Sequence, residues 1–454
     1  MIESVLSRRR LLASAGGGLG SLALADLLQA EDADRPQPHF APKAKSVIWL
    51  FMEGGPSAMD TFDPKPELER GHGKQPKDAI DVFFGNPGPL MKSPFKFQQY
   101  GESGTWVCEH MPHVAQHVDD LALIKSVHCD TPNHAPALFQ MNTGLPRVGF
   151  PSAGSWINYG LSTENRNLPG FVVMQNDRGT KGGPLNWSSG FLPAAFQGTP
   201  FRTSGSPLLN LDRTKDVAFS QQRRTLDFLS ALNEAHAARH PFEANLDARI
   251  ESYELAFQMQ AEAKEAVDLG REPANTLSSY GIDKETTRGF GRKCLLARRL
   301  IERGVRFVQA YCDGEWDAHG GLAGNHRDNC RATDQPIAAL LADLKQRGLL
   351  ETTLVIWGGE FGRMPISQRG SGRDHNPNGF LMWMAGGGIK GGTHYGETDE
   401  IGFAAAENPV SVHDIHATIL HLLGLDHKKL TYLHNGRRYR LTDVAGSVLN
   451  PIIG

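Results

Sequence analysis

The run Ser46-Val47-Ile48-Trp49-Leu50-Phe51 is apolar without alternation and passes directly into Met52-Glu53-Gly54-Gly55-Pro56. An unalternating run of this length, closed by glycine, suits a strand buried on both faces. The same texture recurs at Leu121–Ile124, Val305–Ala310, Thr353–Trp357 and Phe380–Met384. Helical patterns lie between these runs. In the clearest, Asp334 to Arg347, residues Ile337, Leu340, Leu341 and Leu344 mark one face and Gly348 supplies the stop. Helix-then-strand order predicts an α/β fold, a mostly parallel central sheet with helices on both faces. Such sheets bind ligands beyond the carboxyl ends of their strands, which directs attention to the residues just after each run.

Three of those ends deliver carboxylates beside glycine. Glu53 follows the first run, with Asp60 close behind; Asp317 and His319 follow the Val305 run; Glu360 follows the Thr353 run, with His375 soon after. Singly, an aspartate at a strand end is a helix cap or a turn residue. Convergence on one rim would make these six a mixed oxygen and nitrogen donor set, suited to Zn, Mn or Fe, or to Ca or Mg where oxygen dominates. Arg363 and Arg373 are the arginines nearest the presumed ligands, and a guanidinium suits bidentate contact with sulfate or phosphate.

Composition narrows the partners. Among 454 residues, 47 basic and 50 acidic side chains leave a net charge of −3, which argues against nucleic acid as a partner. Hydrophobic residues at 40% and charged residues at 21% fit a globular chain with a sizeable core. The five cysteines (Cys108, Cys129, Cys294, Cys312 and Cys330) are odd in number and lack metal-ribbon spacing, so no disulfide framework is expected. Ser7-Arg8-Arg9-Arg10, a Gly/Ala-rich apolar run and Ala23-Leu24-Ala25 resemble a twin-arginine signal peptide over residues 1–30. This predicts handling by the twin-arginine export machinery and a periplasmic or extracellular location. The run is too short and glycine-rich for a stable membrane anchor, which needs ~20 apolar residues. Residues 179–291 read as a loop-rich and helical insertion, with long polar helices over 221–240 and 242–268, in a domain that spans 44–454; catalysis is not expected there.

The motifs also carry a resemblance. The helix from Asp334, the turn Leu349-Leu350-Glu351-Thr352-Thr353 and the strand ending at Glu360 resemble the sulfatase segment that leads to a metal-binding carboxylate. Val412–Leu425 is similar to the C-terminal sulfatase helix, and His134-Ala135-Pro136 fits the frame of the sulfatase nucleophile motif. The combination GGPSAMDTFDPKP, WDAH, GGEFGR, GRDHNPNGF, AGGGIKGGTHYGETDE and DIHATILHLLGLDH resembles the domain-of-unknown-function 1501 family, a sulfatase-like branch of the alkaline phosphatase-like superfamily, from Ala44 to the end.

The resemblance implies an alkaline phosphatase-like fold, a divalent metal (Zn, Mn, Ca or Mg) and hydrolysis of sulfate or phosphate esters on a small molecule or a polysaccharide. It places Glu53, Asp60, Asp317, His319, Glu360 and His375 as metal ligands and His134 where the nucleophile stands. The chain departs from sulfatases at informative places. His134 replaces the Cys or Ser that becomes formylglycine, Leu138 stands where the motif has arginine, and Phe361 replaces the second ligand of the Asp-His pair. Asp317-x-His319 is tighter than the usual spacing. A formylglycine sulfatase is therefore not expected. His134 is left as ligand, general acid/base or phosphoryl acceptor, with Thr131 as a fallback hydroxyl. The alternative is a catalytically degenerate fold kept as an exported binding or assembly protein.

Overall fold

The computed structural model describes residues 37–454 apart from 84, 166, 177, 203–216, 238 and 240–243. The expected signal over residues 1–30 lies outside the described residues. Nine strands form the main sheet. They are β1 (Ser46–Phe51), β2 (Leu121–His128), β3 (Phe171–Met174), β4 (Thr199–Pro200), β5 (Phe307–Tyr311), β6 (Thr353–Gly358), β7 (Phe380–Ala385), β8 (Thr393–Tyr395) and β9 (Val410–Ser411). Their order is β8-β2-β7-β6-β1-β5-β3-β4, with β9 also paired to β2. All pairings are parallel except those of β7, which runs antiparallel to both β2 and β6.

The apolar runs form strands because both faces are covered. All six residues of β1 are buried, and they alternate between two cores. Ile48 and Leu50 face one, with Leu295, Leu300, Leu340 and Leu344 from the helices Glu285–Ile301 (α5) and Leu322–Gln346 (α6). Val47, Trp49 and Phe51 face the other, with residues of His134–Thr143 (α1), Ala153–Leu161 (α2) and Val412–Leu422 (α7). Burying each such side chain contributes about 1.5–3 kcal/mol.

The helix expected from Asp334 begins at Leu322 and carries Pro336 inside it. The Asp334 carboxylate serves another element: it accepts from the backbone N–H groups of His113 (3.0 Å) and Val114 (2.7 Å). The polar helices of the middle segment are Phe219–Ala237 (α3) and Ala244–Val267 (α4). Met259, Ala263 and Ala266 of α4 enter the first core, and β4 joins the sheet beside β3. The segment 179–291 thus joins the sheet near its start and packs into the first core toward its end. No helix among the described residues is long and apolar enough to cross a membrane.

Candidate metal centre

The carboxyl ends of β1, β2, β5 and β6 share one rim and send out the loops bearing Glu53, His134, Asp317 and Glu360. Because β7 is antiparallel, its entrance lies at this same rim, and His375 sits just ahead of it. A two-residue ladder pairs His375 with Arg363 and Asn376 with Gly362. The loops approach closely. A Cβ on Gly54 (φ +104°) would lie 2.6 Å from the backbone nitrogens of Trp316 and Asp317, so glycine is required where the first loop crosses the third.

Asp317 is the hub. His134 Nε2 lies 3.1 Å from its Oδ2, while His319 Nε2 (3.1 Å), His375 Nε2 (3.2 Å) and Arg363 Nη2 (2.8 Å) surround its Oδ1. Burial would raise the Asp317 carboxyl, but bonds from His134 and His375 and the charge of Arg363 outweigh it and hold the group far below the usual carboxylate range. Each imidazole is anchored through its other nitrogen. His134 Nδ1 meets Glu360 Oε1 at 2.5 Å, His375 Nδ1 donates to the Pro132 carbonyl at 2.6 Å, and His319 Nδ1 meets the side-chain oxygen of Gln368. Burial presses on the His134 imidazole, yet its bonds to Asp317 and Glu360 prevail and raise its pKa; on His375 burial prevails and lowers it.

Among the described residues, two sets of donor atoms lie close enough to hold an ion: His134, Asp317 and His375, and His319, Asp374 and His375. The donors fit a divalent ion: each set offers two imidazole nitrogens and one carboxylate.

The remaining candidates stand apart from these sets. Glu360 accepts from the Gly54 N–H at 3.0 and 3.2 Å besides holding His134. Glu53 accepts from the Lys181 backbone N–H at 2.8 Å and from the Asn176 amide at 3.3 Å; burial, only partly offset by that N–H, lifts its pKa to about 7. Asp60 and Arg373 form their own fully buried pair at 2.7 Å, closed by Ser57 Oγ and by the Met364 and Met91 carbonyls. Arg363 is equally buried and donates to the carbonyls of Gly54, Gly55 and Arg373 as well as to Asp317. Neither guanidinium faces solvent.

Sequence reasoning missed Lys181, Asn176, Gln368 and Asp374. Lys181 comes from the segment read as free of catalysis, yet its ammonium lies 3.7 Å from Asp317 Oδ2 and also pairs with Glu315. It is 35% exposed, a cation at the mouth of the site. Asp374 was within reach of sequence reading, since it adjoins His375; nothing local marks the others.

Among solved structures the chain is similar to a sulfatase from Pseudoalteromonas sp. at 13% identity and a TM-score of 0.37, over 89% of this chain and 70% of that one. It is similar to the alkaline phosphatase of the Antarctic bacterium TAB5 at 12% and 0.36, over 86% and 99%. A phosphonate monoester hydrolase from Silicibacter pomeroyi gives 12% and 0.36, over 75% and 71%. No curated protein matches the chain. The family model described as "Protein of unknown function (DUF1501)" matches residues 44–453, and the chain therefore belongs to the domain-of-unknown-function 1501 family.

Proposed function

We propose that the protein is a metal-dependent hydrolase of sulfate or phosphate esters that works without formylglycine. The observation that carries this reading is the convergence of three anchored imidazoles on the one carboxylate of Asp317, at the strand-end rim where α/β sheets bind ligands. His134, Asp317 and His375, or His319, Asp374 and His375, would hold the ion, and a divalent ion there would supply charge to the ester oxygens as they become more negative. Arg363 fixes Asp317 from behind, so the carboxylate keeps one orientation. Lys181, at the mouth, is placed to meet the anionic group of a substrate. The sulfatase-like motifs support a sulfated or phosphorylated small molecule or polysaccharide as substrate. Residues 1–30 support export by the twin-arginine route to the periplasm or beyond.

Purified protein assayed for bound metal and then for turnover of an aryl sulfate and an aryl phosphate tests the reading. Stoichiometric metal and turnover, both lost in His375→Ala, are expected. A folded protein that takes up no divalent ion overturns it. One observation favours a second reading, a binding protein: Arg363 and Lys181 already bring two cations to Asp317. Tight retention of the sulfated or phosphorylated compound without turnover would select that reading.

A further inference from the structure

The tautomers of the three histidines say more about the ion than their positions do. A carbonyl only accepts, so the 2.6 Å contact with Pro132 O puts a proton on His375 Nδ1 and leaves its Nε2 lone pair facing Asp317. Glu360 is fully buried and accepts from the Gly54 N–H; as an acceptor it takes the Nδ1–H of His134 in the same way. The Gln368 oxygen does this for His319. Anchoring of the non-ligating nitrogen on a carbonyl or carboxylate is the usual arrangement behind a metal-bound imidazole. Here it occurs three times around one carboxylate. With its outer nitrogen so anchored, a neutral imidazole presents its inner nitrogen as an acceptor, the form in which it ligates a cation.

His134 is the unexpected member. It opens α1, the position at which the sulfatase frame has its nucleophile, yet its Nε2 is buried and lies 3.1 Å from Asp317 Oδ2. Three of the carboxylates that a hard ion would need are spent elsewhere. Glu53 is held by Lys181 and Asn176, Glu360 by Gly54 and His134, and Asp60 by Arg373 and Ser57. Ca²⁺ wants roughly 6–8 oxygen ligands, whereas imidazole suits Zn²⁺ and its transition-series neighbours.

We infer that His134 is a metal ligand and not a nucleophile, and that with His375 and Asp317 it makes a nitrogen-rich centre selective for a Zn²⁺-type ion over Ca²⁺ or Mg²⁺. The inference rests on the metal-centre reading above and assigns the ion class and the role of His134. The full chain, stripped with chelator, is titrated with Zn²⁺, Co²⁺, Ca²⁺ and Mg²⁺ by calorimetry, and the Co²⁺ form is followed by visible absorption. The expected result is tight Zn²⁺ uptake, visible Co²⁺ bands abolished by Zn²⁺, and no competition from millimolar Ca²⁺ or Mg²⁺.

His134→Ala should weaken Zn²⁺ binding by at least about 100-fold, and Glu360→Gln by about 10–100-fold, the range for loss of a partner behind a ligand. Should His134→Ala fail to fold, the isosteric His134→Gln with its Co²⁺ spectrum serves instead. Unchanged Zn²⁺ affinity in a folded His134 variant overturns its assignment. Ca²⁺ or Mg²⁺ displacing Zn²⁺ overturns the ion class while leaving a metal-dependent hydrolase standing. Failure of every ion to bind overturns this inference and the functional reading together.

Discussion

Two buried carboxylate–arginine pairs lie side by side at the strand-end rim, and they differ in what surrounds them. Asp60 and Arg373 are sealed, with side chains 0% exposed, and every partner is a hydroxyl, a carbonyl or the other member of the pair. Behind them His326 accepts from the Ser57 N–H at 3.0 Å. Asp317 and Arg363 share the same chemistry, but Asp317 is 19% exposed and ringed by three imidazole nitrogens at 3.1–3.2 Å. A satisfied, fully buried pair is framework; a pair ringed by imidazoles beside an opening is a site. The motif GGPSAMDTFDPKP carries Asp60, and GRDHNPNGF carries both Arg373 and His375, so framework and site residues share the same recognisable stretches.

The largest effect should fall on the sealed pair. Asp60→Ala strands a buried guanidinium, and chemical denaturation should read a loss of about 3–5 kcal/mol. If the loss is small, the pair is not sealed and Arg373 returns as a substrate contact. Next is acid. Burial holds His326, and separately His416, neutral down to about pH 3, against 6.5 for an ordinary histidine. As pH falls from 6.5 toward 3, the unfolded chain takes up protons that the folded chain refuses, so stability is present above 6.5 and drains away below it. His326→Gln, which keeps an acceptor for Ser57, should flatten roughly half of that decline in denaturation profiles taken across the window.

The open pair should behave in the opposite way. Asp317→Asn leaves Arg363 its three carbonyl acceptors, so unfolding should shift by only about 1–2 kcal/mol while metal uptake and turnover vanish. An equally severe destabilisation in both pairs would erase the distinction between them. The smallest stability effect belongs to Lys181→Met, within about 0.5 kcal/mol because the ion pair is partly exposed. Its effect should appear as a raised KM with little change in metal content.

The sheet was legible because strands buried on both faces must be apolar throughout, as β1, β6 and β7 are. The antiparallel sense of β7 was not legible, since burial alone does not encode direction. The helix expected from Asp334 starts twelve residues earlier, a stretch not legible because its turns are polar on the outer face and carry no apolar stripe; the Asp334 carboxylate itself serves the backbone at residues 113 and 114. At the site, Asp317, His319 and His375 stood out as ligand types at strand ends. The partners that fix their tautomers did not. One is the Pro132 carbonyl, which every residue type offers equally, and another is Gln368, ordinary in a loop. Lys181 reaches the centre because its backbone N–H is pinned to Glu53, a contact with no local signature.

The place of β1 in the sheet has a kinetic consequence. Its two neighbours begin at Phe307 and Thr353, so the strand that leaves the ribosome first can find neither partner until most of the chain exists. Its unalternating apolar surface must wait uncovered through that interval. Non-local parallel pairing of this kind is slow and exposes the chain to aggregation. The hub Asp317 and the first-strand loop that crosses it therefore come together only late in folding, and a nascent chain shorter than about residue 353 has no centre to offer an ion.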